Sequence, residues 1–228
     1  MSIKGLLFDF NGTLFFDSDI QIQNFKKCYE HYGVTPQDDD YIVKNIFGIT
    51  NESFFRSSFK ADADENDIKE FTKFKEKTYI SLCKERADRL HLCEGACEML
   101  DYIKAAGIPI CIATGSERQN VEFYFECLGL GRWFSYDTIV YTDGTFKGKP
   151  DPDIYLLAAK RLGLKASECA VFEDGSSGIR AANAAGAGKV VALFEEHLPS
   201  PEAPDVKIDI VINSLKNWKE LLKELGIR

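Results

Sequence analysis

The 228-residue sequence predicts an α/β protein: a doubly wound parallel sheet with an all-α helical bundle inserted after its first strand. Three observations carry this. The apolar run Ile3-Lys4-Gly5-Leu6-Leu7-Phe8 stops abruptly at turn residues, as a buried strand does. Residues 17–89 then show helix-period apolar positions and no strand pattern. After residue 95, short apolar runs alternate with helical patterns, the arrangement that builds a parallel sheet with helices over both faces.

In the helical block, Ile20, Phe25, Cys28, Tyr29 and Tyr32 form one apolar stripe. Breaks are predicted at Gly33-Val34-Thr35-Pro36, at Gly48 and at the acidic run 61–67, before a helix over 68–86. The rest reads as helix 96–105, strand 108–113, helix 117–127, a short strand at 138–141, helix 152–162, strand 169–172, helix 177–185, strands 189–193 and 208–212, and a helix from Leu215. This gives a core of residues 1–16 and 91–228, Rossmann-like in its strand and helix alternation, and a helical cap of residues 17–90, with hinges near Phe16 and Leu90. Pro199-Ser200-Pro201-Glu202-Ala203-Pro204 is read as an exposed, turn-rich loop.

The composition, 45% hydrophobic and 28% charged, is that of a soluble globular protein, and no apolar run is long enough to span a bilayer. The N-terminus reads as a strand and not a signal peptide, so a cytoplasmic location is expected. A net charge of -8 argues against nucleic acid as a partner, yet leaves room for a small anion in a local positive pocket. Seven scattered cysteines suit buried thiols better than a disulfide framework, and Cys93 with Cys97 lacks the further ligands of a zinc site.

Open α/β sheets bind ligands outside the carboxyl ends of their strands. Four predicted strand ends or adjoining loops carry polar residues: Asp9, Asn11 and Thr13; Thr114-Gly115-Ser116; Lys149; and Glu173-Asp174. A hydroxyl and backbone N–H groups can hold phosphate oxygens, a lysine can neutralise another, and paired carboxylates can bind a hard cation such as Mg²⁺. A carboxylate beside that cation can attack phosphorus and split a slow hydrolysis into two easier steps. Each group also has a plain structural reading. Asp9 and Asn11 can fix an Asx turn, Thr114 and Ser116 can be helix N-caps, Lys149 can be a solvated loop residue, and Glu173-Asp174 can form a turn. Asp143-Gly144-Thr145 repeats the look of the first motif without a useful strand before it, and reads as a hairpin-like turn.

The segments Phe8-Asp9-Phe10-Asn11-Gly12-Thr13-Leu14, Ala113-Thr114-Gly115-Ser116, Gly148-Lys149-Pro150-Asp151-Pro152-Asp153 and Val171-Phe172-Glu173-Asp174-Gly175-Ser176-Ser177-Gly178-Ile179 occur in this order. Together they resemble the four motifs of a haloacid dehalogenase superfamily hydrolase, of the β-phosphoglucomutase and phosphoglycolate-phosphatase-like branch with a helical cap. The resemblance implies a Mg²⁺-dependent phosphatase of a small phosphorylated metabolite; a monomer or weak dimer is expected, and charge and composition leave no place for nucleic acid or membrane as partners. The resemblance also implies Asp9 as nucleophile, Thr114, Gly115, Ser116, Lys149 and Lys75 as phosphate or substrate contacts, and metal held by Asp9, the Asn11 carbonyl, Glu173 and Asp174.

The chain departs from that pattern at Asn11, where most such phosphatases carry an aspartate that protonates the leaving oxygen and then activates water. An amide cannot shuttle that proton, so slow turnover of alkyl phosphates is expected. Asn11-Gly12 is also a pair prone to deamidation, which would create that aspartate. In the cap, Ile22 stands where related mutases place a histidine, and Asn51 where they place an arginine, while Lys75 matches a cap lysine. The alternatives are therefore a sugar-phosphate mutase, which these losses disfavour, and a low-turnover phosphate-binding or regulatory homologue. The acidic pair Glu173-Asp174 argues for phosphate over halide chemistry. Closing the helical block over the strand ends would exclude water from the site.

Overall fold

In the computed structural model of the chain, residues 2–195, 197–198 and 205–227 are described. The loop expected at 199–204 lies outside them. The chain divides into two compact units, Met1–Phe16 with His91–Arg228, and Asp17–Leu90.

The first unit is a six-stranded, wholly parallel sheet with strand order β3-β2-β1-β4-β5-β6. Its strands are β1 (Gly5–Phe8), β2 (Ile110–Glu117), β3 (Ile139–Thr142), β4 (Cys169–Glu173), β5 (Lys189–Leu193) and β6 (Ile210–Ile212). Every residue of β1 and β4 is buried, as expected for central strands covered on both faces. The chain runs outward from β1 through β2 to β3 and then crosses to β4 on the other side of β1. The carboxyl ends of β1 and β4 therefore flank the topological switch point, where open α/β sheets form their ligand crevice.

The second unit consists of α1 (Ser18–His31), α2 (Asp39–Asn45), α3 (Asn51–Ser58) and α4 (Glu65–Glu85). Its core is strongly aromatic: Phe25, Tyr29, Phe54, Phe55 and Phe71 are buried together, and Phe25 meets Phe54 edge-on at 4.9 Å. Of the predicted stripe, Ile20, Phe25, Cys28 and Tyr29 are buried, and Tyr32 packs against the same core. The last helix begins three residues earlier than the sequence suggested. Asp64 and Asp67 cap each other's backbone N–H groups, so the end of the acidic run is a capping box and not a break.

The core helices are α5 (Ala96–Ala105), α6 (Arg118–Leu128), α7 (Asp153–Arg161), α8 (Ser176–Ala184) and α9 (Trp218–Glu224). In α7, Ile154, Tyr155, Ala158 and Ala159 bury one helical face against Leu7, Cys111 and Val171 of the sheet. The first strand begins at Gly5 and the third is Ile139–Thr142, and two other strands shift further. The final strand is shorter, Ile210–Ile212; just before it Asp209 donates its backbone N–H to Val190 O at 2.9 Å and receives the Val190 N–H on its carboxylate at 3.0 Å. The second strand is longer, running to Glu117, and it is bulged: Ala113 pairs with Val140 and Glu117 with Thr142. Asp143-Gly144-Thr145 is a turn closed by its own side chain, since Asp143 Oδ1 accepts from the Thr145 backbone N–H at 2.9 Å. It is an Asx turn and not a hairpin, because β3 has only parallel pairing.

All seven cysteines are free thiols. No helix among the described residues is long and apolar enough to cross a membrane.

Candidate active site

β1 delivers Asp9 to the sheet edge, where its N–H continues the ladder by donating to Phe172 O at 2.9 Å. The chain then turns sharply around the Phe10 carbonyl, which accepts from the N–H groups of Leu14 and Phe15, both at 2.9 Å. Gly12 takes a left-handed conformation, φ +77°, and a Cβ on it would stand 2.0 Å from Asp174 Oδ2. Glycine is therefore required there twice over, by backbone conformation and by the carboxylate packed against its Cα.

Asp9 is 6% exposed and carries the centre of the site. Lys149 Nζ donates to Asp9 Oδ1 and lies against Glu173 Oε1, each at 2.5 Å. Lys149 is engaged by these two carboxylates and lies over the Tyr155 ring, so it is not the solvated loop residue of the plain reading. Tyr155 donates its hydroxyl to the same Glu173 Oε1 at 2.5 Å. The other oxygen, Oε2, receives the N–H groups of Asp174 at 3.1 Å and Gly175 at 3.2 Å. Glu173 is thus oriented by four donors.

Asp9, Glu173 and Asp174 each bring a carboxylate oxygen within 4.8 Å of the others. Burial, and then the negative charges of Asp9 and Glu173, push the Asp174 carboxyl well above the usual carboxylate range. Burial alone would lower the Lys149 ammonium, but Asp9 and Glu173 outweigh it and raise its pKa. Burial, reinforced by Glu173, pushes the Tyr155 phenol well above its ordinary value. The three converging carboxylates form a hard, oxygen-rich donor set that a divalent cation such as Mg²⁺ fits, with the Lys149 ammonium lying beside it.

Thr114, Gly115 and Ser116 lie in the bulged end of β2, and α6 starts only at Arg118. Thr114 and Ser116 are therefore not its N-caps. The bulge re-aims them, and Thr114 Oγ1 accepts the Ser116 N–H at 3.1 Å. A Cβ on Gly115 would meet nothing within 4 Å, so open space adjoins the backbone there. Asn11 lies next to this turn: Ser116 Oγ donates to its Oδ1 at 2.8 Å, and its Nδ2 donates to the Tyr124 hydroxyl at 3.0 Å. The Gly12 N–H, which would have to attack the Asn11 amide carbon for deamidation, instead donates to Phe15 O at 2.8 Å. Thr13 differs from the other polar residues of this loop: its Oγ1 is buried without a hydrogen-bond partner.

Lys75 belongs to the helical unit. It is buried beside Glu76, with Nζ 2.9 Å from Glu76 Oε1, and lies over the Phe25 ring. Asn51 Nδ2 donates to that same oxygen at 3.0 Å.

The sequence reading assigned no role to Gly178 within the fourth motif and did not single out Tyr124 or Tyr155. Both tyrosines lie on helices, and nothing in their local spacing signals the hydroxyl's partner. A Cβ on Gly178 would stand 1.8 Å from Glu173 Oε1, a close approach that its place five residues after Glu173 only hints at. Cys93 is buried, with its thiol pushed up to about 12, and takes no part in the carboxylate cluster.

Over 195 residues the chain is 28% identical to the phosphorylated carbohydrates phosphatase of Thermotoga maritima, covering 84% of this chain and 85% of that one. It is 28% identical to hexitol phosphatase A of Escherichia coli, covering 95% and 93%. The crystal structure of a HAD hydrolase, family IA, variant 3, from Entamoeba histolytica superposes with a TM-score of 0.87 at 33% identity, covering 98% of this chain and 100% of that one. The family model for haloacid dehalogenase-like hydrolases matches residues 3–186, and the chain belongs to that family.

Proposed function

We propose that this protein is a Mg²⁺-dependent phosphatase of small phosphorylated metabolites, acting through an aspartyl phosphate on Asp9. The observation that carries the reading is the placement of Asp9, at the end of β1, against the Lys149 ammonium and beside the Glu173 and Asp174 carboxylates. The relatives named for phosphorylated carbohydrates and hexitols favour a phosphorylated sugar or polyol as substrate.

In this reading an Asp9 oxygen attacks phosphorus while the bond to the leaving oxygen breaks, giving the acyl phosphate and the departing alkoxide or anion. Water then attacks phosphorus, releases inorganic phosphate and restores the Asp9 carboxylate. Lys149 and Thr114 hold phosphoryl oxygens, and the backbone at Gly115 and Ser116 supports them. Glu173, fixed by its four donors, holds Lys149 and Asp174 in place. Asp9, the Asn11 carbonyl, Asp174 and Glu173 would hold Mg²⁺, which supplies charge neutralisation at the phosphoryl group.

Asn11 makes the rate selective. Its amide moves no proton, so leaving groups that are stable as anions are turned over faster than alkoxides. The helical unit supports a phosphatase over a mutase, since Ile22 packs against the apolar core and the Asn51 amide is committed to Glu76. The same Asn11 favours one second reading, a phosphate-binding regulatory protein with little turnover.

A screen of phosphorylated metabolites with Mg²⁺, controlled by Asp9→Ala, separates these. The expected result is activity that Asp9→Ala abolishes. Activity indifferent to that substitution would overturn the enzyme reading, and Mg²⁺-dependent phosphate binding without turnover would establish the second.

A further inference from the structure

The ladder between β1 and β2 ends at the pair Phe8 and Ile112. Beyond it, the loop carrying Asp9 and Asn11 and the bulged end of β2 carrying Thr114 and Ser116 run on without that backbone pairing. Their side chains connect them instead. Ser116 Oγ donates to Asn11 Oδ1 at 2.8 Å, Asn11 Nδ2 donates to Tyr124 Oη at 3.0 Å, and the Ser116 and Tyr124 hydroxyls are 3.3 Å apart. These distances admit an assignment in which each group donates once around a closed ring, Asn11 to Tyr124 to Ser116 to Asn11. The Tyr124 contact to Asn11 Oδ1, 3.3 Å, is the longer alternative.

Tyr124 is the fixed member of the ring. It is 1% exposed, and its aromatic face packs on Phe10 at 4.4 Å between centroids and edge-on to Phe15 at 6.2 Å. Both phenylalanines flank Asn11 in the nucleophile loop. Tyr124 therefore grips that loop through its ring and its hydroxyl together, while Ser116 ties the same hydroxyl to the phosphate turn.

We propose that Tyr124 is a positioning residue, bracing the Asp9 loop against the Thr114 turn through the amide of Asn11 and the hydroxyl of Ser116. The brace continues the β1/β2 pairing past the end of the ladder. Asparagine suits this place because its amide both donates and accepts, which a carboxylate does not. The role rests on the phosphatase reading, in which the Asp9 carboxylate and the Thr114 hydroxyl must meet one phosphoryl group in a fixed geometry.

Tyr124→Phe keeps the stacking on Phe10 and removes only the hydroxyl. For this variant kcat should fall about tenfold with KM little changed, since the loss is of alignment and not of ground-state binding. In an Asn11→Ala background the same substitution should cost almost nothing. An equal cost in both backgrounds would mean that the Tyr124 hydroxyl acts independently of Asn11, and would overturn the proposal. A readout independent of activity is solvent exchange of the Asn11 side-chain amide protons, followed by NMR. Exchange should be slow in the wild type and about tenfold or more faster in Tyr124→Phe and, should that variant not fold, in Ser116→Ala. Exchange unchanged in the folded variants overturns the brace. If no phosphate ester is hydrolysed at all, the phosphatase reading fails while the exchange measurement still decides the brace.

Discussion

Gly178 lies so close beneath Glu173 that no side chain fits at that position: a Cβ there would stand 1.8 Å from Oε1 and 2.0 Å from Cδ. Gly178→Ala must therefore displace a buried carboxylate that holds Tyr155, Lys149 and two backbone N–H groups. Overpacking of this kind costs about 1–3 kcal/mol. The variant should lose that much stability in urea denaturation and bind Mg²⁺ more weakly in a calorimetric titration. Wild-type behaviour in both would show that Glu173 is not held as described.

Lys149 offsets the charges of Asp9 and Glu173 in a nearly dry site. Lys149→Met removes that compensation and leaves buried like charges, a change worth about 3–5 kcal/mol when one partner of a buried pair is lost. The melting temperature should drop sharply in EDTA and recover partly with saturating Mg²⁺. A drop that Mg²⁺ leaves untouched would argue against cation binding by these carboxylates.

Asn11→Asp should keep its place, because the Ser116 and Tyr124 hydroxyls can both donate to a carboxylate. It restores a group able to carry a proton, so hydrolysis of alkyl phosphates should rise roughly 10²–10⁴-fold, whereas with aryl phosphates only the water-attack step should gain. Burst-phase and steady-state kinetics on one substrate of each kind decide this, and unchanged rates on both would remove proton transfer from the explanation.

A pH-dependent contribution is expected far from the site. Burial alone would raise the Asp209 carboxyl, but hydrogen bonds from Lys207, Lys189 and the Val190 N–H outweigh it and lower the pKa. A lowered folded-state value contributes stability that is complete above the unfolded value, about 3.9, and is lost as pH falls through the folded value. Asp209→Asn should therefore cost about 1–3 kcal/mol at pH 7, with the gap closing as the pH drops below that unfolded value. Denaturation curves of both proteins across this range test it.

Burial pushes the thiols of Cys28, Cys93 and Cys111 up to about 12 and that of Cys169 up to about 11. Cys83 is buried as well, whereas Cys97 and Cys127 are partly exposed. A thiol reagent at mildly alkaline pH should label Cys97 and Cys127 in the native protein and the other five only after unfolding. Immediate labelling of all seven would contradict the packing.

Much of this was legible in the sequence because it is local. A buried strand running into Asp9, the acidic pair after a second buried strand, and the lysine before Pro150 each carry a short-range pattern with a physical reason, and their order along an α/β chain places them at strand ends. Helix periodicity likewise separated residues 17–90 from the rest. The β2 bulge left no such pattern. It depends on how Ala113 and Glu117 pair with a neighbouring strand, and it turned two apparent helix caps into strand residues.

The residues around Asn11 mark the boundary most clearly. The sequence by itself determined that an amide, and not a carboxylate, stands two residues after the candidate nucleophile. Only the tertiary structure decided what that amide does. Its partners, Ser116 and Tyr124, lie 105 and 113 residues away, brought beside it by the pairing of β1 with β2 and the return of α6 over the loop. Hydrogen bonds between residues so distant follow from the topology of the sheet, which no local spacing in the chain encodes.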